Sequence, residues 1–169
     1  KTAAEKLTLA TYKQIAGSWA KTRNDKSFWS EEFRQFKKFL PAPAKILDLG
    51  CGGGRDSELF LANGYDYVGI DTVPAMIAWA KKHHKAKFKV ADFYRLPFEK
   101  NSFDCFWAAA SLLHVPKIKI EQVLKELRRI LKPGAAGFIS IKQGRGEKLL
   151  PLNDSVPDRH LRFFALWRK

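Results

Sequence analysis

The sequence predicts an α/β protein built on a doubly wound, mostly parallel sheet, and three observations carry that prediction. From residue 44 to residue 142, apolar runs of strand length alternate with stretches of helical periodicity. The first run, Ile46-Leu47-Asp48-Leu49, breaks into the glycine-dense turn Gly50-Cys51-Gly52-Gly53-Gly54, which opens onto a helical segment. A second apolar run, Tyr67-Val68-Gly69-Ile70, ends on the acid Asp71. A parallel unit with glycines at its first turn and an acid closing its next strand is built to hold a nucleoside.

Taken in order, the elements begin with helix. Leu7, Leu9, Tyr12, Ile15, Ala16 and Trp19 recur at helical spacing, and Gly17 or Ser18 is expected to break the run. After a polar stretch at 21–26, Phe28, Trp29, Phe33, Phe36, Phe39 and Leu40 form a second stripe, ended by Pro41 and Pro43. Phe33 and Phe36 read as core, whereas Tyr12, Ile15 and Trp19 are candidates to close over a pocket. Strands are then predicted at 45–49, 66–70, 87–91, 103–109 and 135–142, with helices at 56–63, 74–83 and 118–131. Pro74 suits a helix start, where its missing N–H costs nothing, and Leu131-Lys132-Pro133-Gly134 reads as a helix stop. Past 142 the regularity fades into loop, with a short strand expected at Arg162-Phe163-Phe164-Ala165-Leu166-Trp167. The organisation expected is one domain: a helical cap at 1–43, a nucleoside-binding core at 44–142, and a C-terminal loop and short strand at 143–169.

Composition sets limits. A chain of 169 residues with 46% hydrophobic and 13% aromatic content buries a real core and is not disordered. No apolar run approaches the ~20 residues of a membrane span, and no signal-peptide core opens the sequence, so a soluble, cytoplasmic protein is expected. Cys51 and Cys105 fit no metal-ligand spacing and read as reduced structural thiols; no metal is expected. The net charge of +14 favours an anionic partner, nucleic acid first, yet the lysines are spread out without a compact basic motif, as on a solvated surface.

The glycine turn excludes two readings. The dinucleotide pattern G-x-G-x-x-G needs a third glycine, where this chain has Arg55 or Ser57. The phosphate-loop pattern G-x-x-x-x-G-K-[ST] is absent. Asp48, two residues before Gly50, would repel a pyrophosphate and suits a ligand with a positive charge and an amino group. Asp71 is placed to accept both ribose hydroxyls, and Asp92, followed by Phe93, to accept from an adenine amino group.

These motifs together carry a resemblance. Asp48 to Gly54, Gly69-Ile70-Asp71, Ala91-Asp92, Asn101-Ser102-Phe103-Asp104 and Leu131-Lys132-Pro133-Gly134 follow the order and spacing of class I S-adenosylmethionine-dependent methyltransferases, of the type 11/25-like domain. The resemblance implies a Rossmann-like sheet of order 3-2-1-4-5, with the family's usual last two strands missing here and the fifth strand left as an edge. It implies that Gly50, Cys51, Gly52 and Gly54 hold the methionine end of the cofactor, Asp71 and Thr72 the ribose, and Asp92 and Phe93 the adenine. Asp48 would order the methionine amine, and Met76 would pack on the adenine. The segment Thr11-Tyr12-Lys13-Gln14-Ile15-Ala16 is similar to the covering helix of many small methyltransferases, which puts Tyr12 at the site. Ser111-Leu112-Leu113-His114 matches the position that lines the transfer site.

The expected function is methyl transfer from S-adenosylmethionine, leaving S-adenosylhomocysteine, to a small-molecule acceptor. His114 is the candidate general base, with a role as loop or cofactor hydrogen-bond partner equally open. RNA is the alternative acceptor, because Ile15 through Trp29 weakly resembles the tRNA wobble-uridine methyltransferases. The remaining alternative is a non-catalytic domain that binds the cofactor or a partner. A homodimer contact or a further C-terminal segment is expected to cover the fifth-strand edge.

Overall fold

The computed structural model describes residues 1–151 and 160–168. Helix α1 (Ala3–Thr22) starts at a capping box: the Glu5 N–H donates to Thr2 Oγ1 (3.2 Å) and the Thr2 N–H to Glu5 Oε2 (2.6 Å). It runs unbroken through Gly17 and Ser18, contrary to the expected break. Gly17 faces open space and Ser18 Oγ donates back to the Ile15 carbonyl (3.0 Å), so neither residue interrupts the buried stripe of Ile15, Ala16 and Ala20. A short α2 (Ser30–Phe36) and a 3-10 turn (Lys37–Phe39) lead into the sheet.

Five strands form that sheet: β1 (Lys45–Leu49), β2 (Asp66–Asp71), β3 (Lys87–Val90), β4 (Phe103–Ala108) and β5 (Leu131–Ile139). Every pairing in it is parallel and the order is β3-β2-β1-β4-β5, as the resemblance implies. Helices α3 (Ser57–Leu61), α4 (Pro74–His83) and α5 (Ile120–Ile130) connect the strands. Alternate residues along each strand feed two cores. Leu47, Leu49, Ile70, Phe106 and Ala108 join Val123, Leu127 and Ile130 of α5 on one face. Ile46, Tyr67, Cys105 and Trp107 join Phe33, Phe36, Phe60 and Ile77 on the other. Cys105 lies in β4, but Cys51 lies in the turn after β1.

Three boundaries differ from expectation. α3 is a single short helix, because the turn before it extends further than the glycines themselves. α5 stops at Ile130 and β5 starts there, at Leu131; its register against β4 shifts between Phe103 and Cys105, which absorbs Pro133 and its missing N–H. The tail is more ordered than the fading pattern suggests. β6 (Lys142–Gln143), β7 (Glu147–Pro151) and β8 (Leu161–Trp167) make a separate sheet of order β6-β8-β7, parallel on one side of β8 and antiparallel on the other. β8 docks on α1 through paired bonds: Thr11 Oγ1 donates to the Leu161 carbonyl (2.8 Å) and the Phe163 N–H to Thr8 Oγ1 (2.8 Å). No further strand pairs with the outer edge of β5 among the described residues.

Candidate functional site

At the carboxyl ends of β1 and β2 the chain builds the feature that a nucleoside site requires, a rigid glycine turn beside an acid. Gly50 has φ +84°, and a side chain there would meet Ser111 Cβ at 2.4 Å, so the turn and the Ser111 loop fit only with glycine between them. The N–H groups of Gly50 and Cys51 both donate to the Ile70 carbonyl (2.8 and 2.9 Å), and Gly54 donates to the Cys51 carbonyl (2.9 Å). The Gly52 N–H donates to Asp71 Oδ2 (3.0 Å), and the Val73 N–H to Asp71 Oδ1 (2.8 Å). Burial outweighs those two bonds and pushes the Asp71 carboxyl up to about 6.

Asp48 is placed otherwise than expected. It lies one residue inside β1 and its carboxyl is buried beneath the turn, accepting the Tyr67 O–H at 2.5 Å. Burial, with Asp56 nearby, holds it well above the usual carboxylate range. Such a group braces the turn from below and presents no free charge to a ligand. Cys51 is half-buried, its thiol pushed well up by burial. Asp56 takes the Trp107 indole N–H (3.0 Å) and Arg55 Nε (2.6 Å), tying the turn to β4.

The Asp92 side is closed by α1. Lys1 forms an ion pair with Asp92, whose other oxygen accepts the Tyr94 N–H at 3.2 Å. Buried Glu5 accepts Tyr94 Oη (2.6 Å) and Lys119 Nζ (3.0 Å), and these partners outweigh its burial and bring it down to about 2. Between α1 and the sheet remains a cavity of about 60 Å³, with Thr8, Leu9, Thr72, Asp92, Phe93 and His114 on its walls. Met76 is not on that wall. It is buried in the α1–α4 contact with Ala16, Ala20 and Val73. At the far end of α1, Ala20 packs on the turn so closely that a Cβ at Gly53 would come within 2.6 Å of it.

Tyr12 and His114, both candidate site residues from the sequence, meet. A carbonyl can only accept, so His114 Nδ1–H donates to the Phe163 carbonyl (2.7 Å), leaving Nε2 to accept the Tyr12 O–H (3.0 Å). Arg162 Nη1 in turn donates to Tyr12 Oη (3.1 Å). Desolvation chiefly, with Arg162 adding to it, brings His114 down to about 4, so it is neutral at pH 7. Its folded pKa lies below the ordinary 6.5, so its contribution to stability is present above pH 6.5 and is lost as pH falls toward 4. The melting-temperature advantage of the native chain over His114→Gln is therefore expected to shrink between pH 7 and pH 4.5 in thermal scans.

Two residues at or near the site carried no usable sequence signal. Arg162 stood inside an apolar run, and Tyr67 read as an ordinary strand residue. His84 is buried just past α4 and bonds Glu58 through Nδ1 (3.0 Å). His83 is exposed and stacked on Trp79.

Comparison with known proteins agrees with this geometry. The profile of the methyltransferase domain matches residues 47–139, more than half of the chain. A sterol 24-C-methyltransferase of Gibberella zeae is 37% identical over 98 residues, covering 53% of this chain and 25% of that protein. The 2-methyl-6-phytyl-1,4-hydroquinone methyltransferase of Synechocystis is 32% identical over 119 residues, 68% of this chain and 37% of that protein. The chain thus spans about a quarter to a third of the length of these curated relatives. Among solved structures, a SAM-dependent methyltransferase of Methanosarcina mazei superposes with a TM-score of 0.70 at 24% identity, covering 78% of this chain and 76% of that one. The PH0226 protein of Pyrococcus horikoshii gives 0.68 at 25% identity, with 88% and 76% covered. By sequence, strand order and glycine turn, the chain belongs to the class I S-adenosylmethionine-dependent methyltransferases, whose cofactor is S-adenosylmethionine.

Proposed function

We propose that this chain is the cofactor-binding core of a methyltransferase acting on a small-molecule acceptor. The observation that carries the reading is Asp71, a carboxylate fixed by the Gly52 and Val73 N–H groups at the mouth of the glycine turn. In this reading Asp71 and Thr72 hold the ribose, Asp92 and Phe93 the adenine, and Gly50, Cys51, Gly52 and Gly54 the methionine end. Asp48 acts through Tyr67 and the turn. Ser111 Oγ, buried without a partner, supplies a hydroxyl beside Gly50 that a ligand can satisfy. The donor set fits the cofactor, but the cavity does not with α1 seated: about 60 Å³ falls well short of the roughly 300 Å³ of a typical ligand pocket. The cap in this reading is α1 alone, since Phe33 and Phe36 of α2 belong to the core of the sheet, and α1 with its Lys1–Asp92 pair must shift to admit the cofactor.

Bound S-adenosylmethionine supplies the electrophilic methyl group. The chain's own part is to align the acceptor and keep water out, a contribution that can reach ~7–11 kcal/mol. His114 is neutral and its Nε2 lone pair is taken by Tyr12, which suits a positioning role better than that of a strong base. The relatives named for sterol and hydroquinone methylation support a small, apolar acceptor. The net charge of +14 favours RNA instead. No helix among the described residues is long and apolar enough to cross a membrane. The outer edge of β5 is the place for a second copy or a further segment to pair.

The test is a transfer assay with labelled cofactor against extracted metabolite pools and against total tRNA, at 50 and 200 mM salt. Labelled small molecules with little salt dependence are expected. Labelled tRNA, with binding that falls roughly 10³-fold or more across that range, would replace the acceptor assignment.

A further inference from the structure

We infer that Arg162 is a carboxylate-binding residue at the methyl-transfer end of the site. This rests on the adenosyl site proposed above and names what a residue joined to its His114 wall through Tyr12 recognises. Arg162 is only 9% exposed, and among the described residues no carboxylate pairs with it. A guanidinium buried that deeply ordinarily has an anionic partner. Nη1 donates to Tyr12 Oη, Nη2 reaches the Pro151 carbonyl only at 3.5 Å, and Nε, buried, has no partner at all. The rings of Tyr12, Trp19 and Phe164, 5.8, 5.2 and 5.1 Å from the guanidinium carbon, offset part of the cost of burying the charge. They leave the Nε–Nη2 side of the fork short of acceptors. That side presents two parallel N–H bonds, the pattern that grips the two oxygens of a carboxylate.

Position and supply agree with this. Tyr12 joins Arg162 to His114, and α1 carries Tyr12 midway between the Asp92 end and the glycine turn. At the turn, the N–H groups of Gly50, Cys51, Gly52 and Gly54 are all spent on partners within the chain. A carboxylate arriving there must draw most of its compensation from elsewhere, and Arg162 is a buried cation joined through Tyr12 to His114. Two ligands bring that group: the amino-acid end of the cofactor, or an acidic acceptor. Both present the same chemistry to the fork.

The experiment separates them by calorimetry on the full chain. The ligands are S-adenosylhomocysteine, 5′-methylthioadenosine (which lacks the amino-acid end) and benzoate added to the homocysteine complex. The proteins are the native chain, Arg162→Gln and Arg162→Lys, with thermal melts to confirm folding. If Arg162 holds the cofactor's carboxylate, Arg162→Gln weakens S-adenosylhomocysteine by roughly thirtyfold or more and leaves methylthioadenosine unchanged. If it holds an acceptor's, both nucleosides bind the variant normally, while benzoate binds the native complex and not the variant. The inference is overturned if all three ligands bind Arg162→Gln as they bind the native chain. It is overturned equally if methylthioadenosine loses as much as S-adenosylhomocysteine, since a general packing defect would do that. Should Arg162→Gln fail to fold, the charge-keeping Arg162→Lys decides: a bidentate site loses affinity for the carboxylate ligand alone, and unchanged affinity overturns the assignment. A native chain that binds neither nucleoside refutes the adenosyl site itself, and benzoate against benzamide, as protection in the melt, then still tests Arg162.

Discussion

Asp71→Ala is expected to abolish measurable binding of S-adenosylhomocysteine, a loss of about 3 kcal/mol or more, over a hundredfold. Two losses combine in that figure. The carboxylate is the acceptor for both ribose hydroxyls in the proposed site, and charge-assisted bonds of this kind contribute about 1.5–3 kcal/mol each. It also anchors the Gly52 and Val73 N–H groups, so the turn itself loosens when it is removed. Asp71→Asn isolates the charge, since an amide keeps one acceptor. Calorimetric titration of the native chain and both variants reads the difference; undiminished affinity in Asp71→Ala would sink the assignment. A pH series adds a second signature. Burial raises this carboxyl to about 6, and only the ionised form can accept from two hydroxyls, so affinity is expected to fall as pH drops below about 6, by up to tenfold per unit. Asp71→Asn should show no such step. The same shift acts oppositely on the free fold. A carboxyl that binds its proton more tightly when folded contributes stability at low pH that is lost as pH rises through about 6. At pH 7, Asp71→Asn without ligand is therefore expected to melt above the native chain.

Trp107→Ala is expected to be the most destabilising single change in the core, at about 3–5 kcal/mol. Trp107 is 1% exposed on β4 and stacks on Phe138 with centroids 4.0 Å apart. Trp29, Phe36 and Phe60 surround it at 6.4, 5.5 and 5.6 Å. Truncation leaves a cavity the size of an indole in a wall of rings that cannot collapse to fill it. Asp56 also loses its indole N–H partner, which unties the turn from β4. Against total stabilities of about 5–15 kcal/mol, such a loss brings a domain close to unfolding. Urea unfolding should show the midpoint falling with the slope unchanged. Trp107→Phe keeps a ring against Phe138 and should lose much less, while still weakening ligand binding through the freed Asp56. A Trp107→Ala midpoint within 0.5 kcal/mol of native would refute this account of the core.

How far the sequence reveals this molecule depends on the range of the interactions involved. The sheet and its connections are visible because strand and helix periodicities are local, and Pro74 and Pro133 mark boundaries by backbone chemistry alone. The places of the glycine turn, Asp71 and Asp92 at or just past successive strand ends were readable because those strands follow one another along the chain. Asp48 was misplaced because its environment is set by Tyr67 across the β1–β2 pair, a contact that no spacing announces. Ser18 and Gly17 looked like a break, yet docking against β8 and α4 overrides the local preference. Arg162 escaped for the opposite reason. Inside Leu161-Arg162-Phe163-Phe164 it reads as one polar residue in a strand, and only the rings of Tyr12 and Trp19 on α1 make it an inward-facing cation.

The clasp between α1 and β8 has a consequence in time. Its two hydrogen bonds join residues 150 and 155 positions apart, so the roof of the pocket forms only after both segments exist and the sheet beneath them has condensed. The strands that carry the glycine turn and Asp71, β1 and β2, precede β8 in the chain. During synthesis that part of the proposed site is therefore made before β8 can hold α1 over it. In the finished molecule the same order runs in reverse. The Phe163 amide should exchange its hydrogen earlier than those of β1 and β4, and a bound adenosyl ligand should slow it.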